Sequence, residues 1–225
     1  MAETIIALFL AHVLADYVLQ TRWMVDTKRG AGFAAHIGIV FATAMLCLGQ
    51  LSLAVVLITF VHLLIDAAKT LLMPDRLWSY LADQGLHLGS IVAVAAFLPE
   101  AWQQGLWAGI LPPETPRVVA VAAGLIFALR GGHFAIVSYI AGPAQPADAQ
   151  RAAVTGGLER AAVFAAVLGG LPALALVVLA AKAGFWWVRG GLDAPGRAQA
   201  VTATLASFAW ALVTAYATRA LVAMP

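Results

Sequence analysis

Apolar residues run along this chain in long blocks, not in the short alternation of half-buried strands. A helix crosses a hydrocarbon core with about 20 mainly apolar residues, and seven blocks reach roughly that length: 3–21, 33–49, 51–72, 80–98, 117–141, 159–181 and 199–222. The polar interruptions predict the joins. A tight turn around Gly49–Ser52 separates the second block from the third, and Arg130-Gly131-Gly132-His133 predicts a kinked or partly unwound fifth helix. Pro172 predicts a kink inside the sixth. The pattern predicts an all-α, polytopic transmembrane bundle: a four-helix half over 1–98, an external loop over 99–116 and a three-helix half over 117–225. The first block carries Glu3, no Lys or Arg, and His12 and Asp16 inside it, so it reads as a retained span and not as a cleaved leader.

Composition agrees and narrows the class. Of 225 residues, 63% are hydrophobic and 11% charged, with a mean hydropathy of +0.91, against about 25% charged in soluble domains. A soluble enzyme is excluded. The net charge of +2 supplies no basic stripe for phosphates, so nucleic acid is excluded as a partner; membrane lipids and a second copy of the chain remain. Cys47 is the single cysteine and forms no internal disulfide.

Lys and Arg concentrate on cytoplasmic loops. Arg22, Lys28 and Arg29 follow the first block, Lys69 and Arg76 lie between the third and fourth, and 99–116 has neither residue type. This predicts an N-terminus outside, and over seven spans a C-terminus inside. Arg151 and Arg160, around the loop expected at 142–158, fit that orientation, whereas Lys182, Arg189 and Arg197 conflict with it. Trp23, Trp78, Trp102, Trp107, Trp186 and Trp187 fall at expected interfaces.

Against this background the first four blocks hold an unusual set of ionisable groups: Asp16, Asp66 and Asp83 with His12, His36, His62 and His87. An Asp at a membrane helix centre costs roughly 2.5–3.5 kcal/mol, so three unpaired carboxylates would cost on the order of 8–10 kcal/mol. The spacing supplies the compensation. His12/Asp16, His62/Asp66 and Asp83/His87 are each four residues apart, so each pair shares one helix face. Counted from the cytoplasmic ends, Asp16, His36, Asp66 and Asp83 form a shallow layer, with His12, His62 and His87 about one turn (~5.4 Å) deeper. The segment also reads as a duplication: Ala11–Asp16 matches Val61–Asp66, Met24-Val-Asp26 matches Met73-Pro-Asp75, and His36 matches His87.

Mixed His and Asp without thiolate suit zinc, manganese or iron. Seven donors exceed a four-ligand structural zinc site and fit either a binuclear centre or one metal with carboxylates orienting its histidines. A proton relay and a purely structural Asp–His network fit the same residues. Gln20 continues the Asp16 face, Lys69 lies near Asp66, and Glu159-Arg160 can pair with each other.

The motifs His12-x3-Asp16-Tyr-x-Leu-Gln20, Lys28, His36, His62-Leu-Leu-Ile-Asp66-x2-Lys69 and Asp83-Gln84-x2-His87 resemble a bacterial integral-membrane family known as domain of unknown function 3307. Gly157-Leu-Glu159-Arg160, Lys182 and Thr204-x2-Ser207 resemble it more loosely, and Ala67 stands where the pattern has tyrosine. The resemblance implies a bacterial inner-membrane protein and no particular reaction. Three classes of function fit: a metal-dependent hydrolase of a phosphorylated lipid, a metal-ion or proton-coupled transporter, and a structural membrane subunit. In the first, His12, Asp16, His62, Asp66 and His87 bind the divalent metal. Asp83 acts as base or ligand, His36 as an acid, Lys69 stabilises an anionic group, and Gln20 and Gln84 bind substrate.

Overall fold

A computed structural model describes the backbone of residues 1–140, 146–189 and 194–224, and the side chains of 1–138, 154–184 and 198–224. All regular structure among them is helical. Five helical stretches are long and apolar enough to cross a membrane: Ala2–Leu19, Ala31–Leu48, Leu53–Leu72, Thr115–Ser138 and Ala198–Val222. The chain divides into two compact units, one over Met1–Ala123 with Leu221–Pro225 and the other over Gly124–Ala220. The expectations for Arg151, Trp186, Trp187, Arg189 and Arg197 fall outside the described side chains.

The first unit is a four-helix ring. Helix α1 (Ala2–Val13) widens into a π turn, Leu14–Leu19. A short α2 (Arg22–Asp26) leads to α3 (Ala31–Leu48), α4 (Leu53–Leu72) and α5 (Leu77–Phe97). Helices α1 and α4 each pack against both α3 and α5. Leu8, Ala11, Ala44, Leu48, Val55, Ile58 and Ile91 fill the ring toward its Gly49 end. The turn expected there is a Schellman stop: Gly49 is left-handed (φ 69°), its N–H donates to Leu46 O, and the next N–H donates to Met45 O. A Cβ at Gly49 would also meet the Trp107 ring at 2.7 Å. The 98–114 segment closes that end of the ring: Thr4 Oγ1 donates to Pro99 O (2.9 Å), Trp102 N donates back to Thr4 Oγ1 (3.2 Å), and Trp107 Nε1 donates to Leu46 O.

The second unit corrects one expectation. The block over 159–181 is not a single helix kinked at Pro172. It is α8 (Pro146–Leu168) and α9 (Ala173–Arg189), and α8 begins within the stretch expected as a loop over 142–158. The reason is local. Gly170 is left-handed (φ 77°), Gly170 N–H donates to Val167 O (3.2 Å), and Leu171 N–H donates to Ala166 O (2.8 Å). That is the same stop as at Gly49, and Pro172 then prevents the helix from resuming.

The interruption expected at Arg130–His133 is present, between α6 (Thr115–Ile126) and α7 (Gly132–Ile140), as a π turn over Phe127–Gly131. A π turn frees carbonyls from the helix ladder, and two side-chain donors take them. Arg160 Nη2 of α8 reaches Leu129 O (3.1 Å), and Trp210 Nε1 of α10 (Ala194–Val222) reaches Phe127 O (3.1 Å). Only glycine admits these side chains: a Cβ at Gly132 would meet Arg160 Cδ at 2.7 Å and Trp210 Cδ1 at 2.8 Å.

Glu159 and Arg160 do not pair with each other. They are adjacent on α8 and so diverge. Glu159 takes Lys182 of α9, and Arg160 Nη1 donates to Ser207 Oγ (2.9 Å). Each partner in the Glu159–Lys182 pair lies ten residues, about 15 Å, from the Gly169–Pro172 turn, so the hairpin register brings them level.

Candidate metal centre

The π turn sets the near wall of the site. Widening α1 at Leu14 turns Asp16 and Tyr17 into the ring below His12. His36 enters from α3, His62 and Asp66 from consecutive turns of α4, and Asp83, Gln84 and His87 from α5. Rise along the helices places His62 about 15 Å, and His36 and Asp66 about 20 Å, from the Gly49–Ser52 turn. All seven His and Asp residues converge there. The His12 and His87 rings stack at 5.0 Å, and His62 lies 4.2 Å from His87 and 5.3 Å from His36. His12, His36, His62, His87 and Asp66 are at most 5% exposed.

Four of the donor atoms gather closely, and two of them, His36 Nε2 and His62 Nε2, lie within hydrogen-bond distance of each other. Asp16 Oδ1, His36 Nε2, His62 Nε2 and Asp66 Oδ2 form a four-cornered cage. Five of its edges measure 3.5 Å (Asp16–His36), 3.5 Å (Asp16–His62), 3.2 Å (His36–His62), 3.2 Å (His36–Asp66) and 3.6 Å (His62–Asp66). Tetrahedral zinc with bonds of about 2.0–2.1 Å requires edges of about 3.3–3.4 Å. Asp16 Oδ1 and Asp66 Oδ2 are fully buried yet accept no aligned hydrogen bond, a costly state for carboxylate oxygens. The chemistry of these donors fits a divalent cation. Three overlapping groups, His12/Asp16/His62, His36/His62/Asp66 and Asp66/Asp83/His87, each bring their donor atoms within 4.8 Å of one another.

Hydrogen bonds around the cage fix which lone pairs face inward. His87 Nδ1 lies 2.9 Å from the Asp83 carbonyl oxygen, which can only accept, so Nδ1 carries the proton and Nε2 is bare. Gln84 is held by three groups. Its Oε1 accepts from Tyr17 OH (2.7 Å) and lies 3.2 Å from His12 Nε2, and its amide nitrogen donates to Asp83 Oδ2 (3.1 Å). His12 Nε2 therefore donates, which leaves Nδ1 bare and 3.6 Å from Asp16 Oδ2. Such outer bonds orient metal-binding histidines in general.

The expected residues thus take distinct places. His36, expected as an acid, lies at the cage itself. Gln84, expected to bind substrate, bonds His12 and Asp83 behind the cage. Gln20 caps the π turn at the rim. Lys69 turns away from the cage to Asp75 Oδ1 (3.3 Å) and Ser79 Oγ (3.1 Å), where it ties α4 to the start of α5. Tyr80, unremarked in the sequence, bonds Tyr17 OH at 2.7 Å. Its signal was its position four residues before Gln84, on the same face of α5.

The two ends of the cage differ. Toward Gly49 lies a cavity of ≈ 10 Å³, room for about one water, lined by His12, His62 and His87 and by Leu8, Ile58 and Ile91. Beyond it stands the apolar core. At the other end, the Asp16 and Asp83 side chains are 12% and 11% exposed, against 2–4% for the histidine side chains.

No curated protein and no solved structure matches this chain. Residues 4–107, which contain all seven His and Asp residues of the site, match the model of the family described as "Protein of unknown function (DUF3307)".

Proposed function

We propose that the ring is a metal-dependent hydrolase embedded in the bacterial inner membrane, acting on a phosphorylated lipid from the cytoplasmic side. The observation that carries this reading is the cage of four buried donor atoms, Asp16 Oδ1, His36 Nε2, His62 Nε2 and Asp66 Oδ2, open at one end only. A zinc, manganese or iron ion held there supplies Lewis-acid polarisation and activation of water. Asp16, His36, His62 and Asp66 hold the ion. Asp83, at the accessible end, takes the proton from the attacking water, while Tyr17 and Tyr80 fix Gln84, which orients Asp83 and His12. The Lys/Arg-rich 22–29 and 69–76 segments flank the same end and place it at headgroup depth.

A carrier would need access from both faces, and the apolar core beyond the histidines opposes that. The offsets of 49–51 residues, with α1 and α4 in equivalent places in the ring, support a duplicated hairpin. Under this reading α8 and α9 each cross the membrane, giving eight crossings with both termini outside. Arg189 and Arg197 then return to the cytoplasmic side, which removes the conflict with the positive-inside rule.

The test is turnover in proteoliposomes. Metal-loaded protein should release phosphate from a panel of phospholipid and prenyl phosphates, and Asp83→Asn should lower the rate by about 10²-fold or more, the scale of a lost general base. Metal or proton flux without release of phosphate from any lipid would overturn the enzyme reading in favour of transport.

A further inference from the structure

We propose that the ring holds a second cation beside the first, between Asp66, Asp83 and His87, with the Asp66 carboxylate bridging the two positions. This rests on the metal-centre reading above and adds a ligand site to it. Asp66 Oδ2 belongs to the cage with His36 and His62, whereas its Oδ1 faces His87 Nε2 at 3.9 Å. His87 Nε2 is bare, because Nδ1 carries the ring proton and donates it in a hydrogen bond to the Asp83 carbonyl. It is also fully buried without a hydrogen-bond partner. Asp83 presents the third donor, and with a second ion bound it serves as a ligand in place of the base. Tyr17 and His12 hold the Gln84 oxygen, so its amide nitrogen must face Asp83 and occupies Oδ2. That leaves Asp83 Oδ1 buried with no hydrogen-bond partner, 3.6 Å from His87 Nδ1.

Acceptors facing one another in a site this dry repel unless positive charge lies between them. The first cation does not remove that problem, because its cage already uses Asp16 and Asp66, whose two charges one divalent ion balances. Asp83 leaves a third negative charge. A second divalent ion brings the total to four positive against three negative charges. The remaining positive charge is one that an anionic phosphate group would neutralise. A carboxylate spanning two ions is the usual arrangement when metals lie about 3.5–4 Å apart and act together on a phosphoryl group.

The full-length protein loaded with manganese distinguishes the cases by elemental analysis and electron paramagnetic resonance. Two ions per chain and an exchange-coupled spectrum are expected for the wild type. Asp83→Asn and His87→Gln should each retain one ion, with the uncoupled spectrum of an isolated centre. That retained ion also reports that the ring has folded. One ion in the wild type, unchanged in both variants, would overturn the second site and leave the first standing. A folded wild type that binds no manganese, zinc or iron would overturn both.

Discussion

Asp66→Ala is expected to abolish metal binding and, with it, all stabilisation of the protein by metal. The two oxygens of Asp66 face different donors: Oδ2 faces His36 and His62, and Oδ1 faces His87. Losing a residue that merely orients a ligand costs 10–100-fold in affinity, so losing this shared carboxylate should exceed about 100-fold. The effect reaches folding by linkage. A ligand at about 1,000 times its dissociation constant stabilises the native state by about 4 kcal/mol. Thermal unfolding in detergent should show a lower Tm for the wild type after chelation. Asp66→Ala should unfold at one temperature whether or not chelator is present. A variant that still responds to chelator would place the metal elsewhere.

The second large effect lies in the other unit and needs no metal. Glu159→Ala strands the Lys182 ammonium, whose side chain is 18% exposed, between α8 and α9. Breaking a fully buried pair by removing one partner costs about 3–5 kcal/mol and a half-buried pair such as this one less, whereas replacing both by apolar groups of similar volume is often neutral or better. Glu159→Ala alone should therefore unfold at markedly lower temperature, and Glu159→Leu with Lys182→Met should recover most of the loss. Equal damage in the single and double variants would mean that the two side chains do not act as a pair.

The comparison of sequence with structure turns on a few residues. The four-residue spacing of His12/Asp16, His62/Asp66 and Asp83/His87 made the convergence of the site legible, because helix geometry alone puts each pair on one face. Which donors share a cage was not legible. Position along a helix gives depth, but the rotation of each helix about its axis depends on packing between helices. The π turn at Leu14–Leu19 adds a rotation that no residue in that stretch announces. His36 consequently lies at the centre, and Lys69, close to Asp66 in sequence, points to Asp75 and Ser79. Gly49 and Gly170 give the sharpest contrast. The same left-handed stop ends both helices, yet Gly49 sits between two complete apolar blocks while Gly169–Pro172 interrupts what reads as one. Length and hydropathy favoured a kinked span there. Gly-Gly followed two residues later by Pro was the signal for two helices.

The most direct test of a metal centre in the four-helix ring is elemental analysis and X-ray absorption at the metal edge on purified wild-type protein. Bound zinc, manganese or iron is predicted, with a shell of nitrogen and oxygen only, histidine scattering beyond it, and for zinc bonds of about 2.0–2.1 Å. Folded protein that holds no metal after incubation with all three ions, or a shell containing sulfur, would contradict the account.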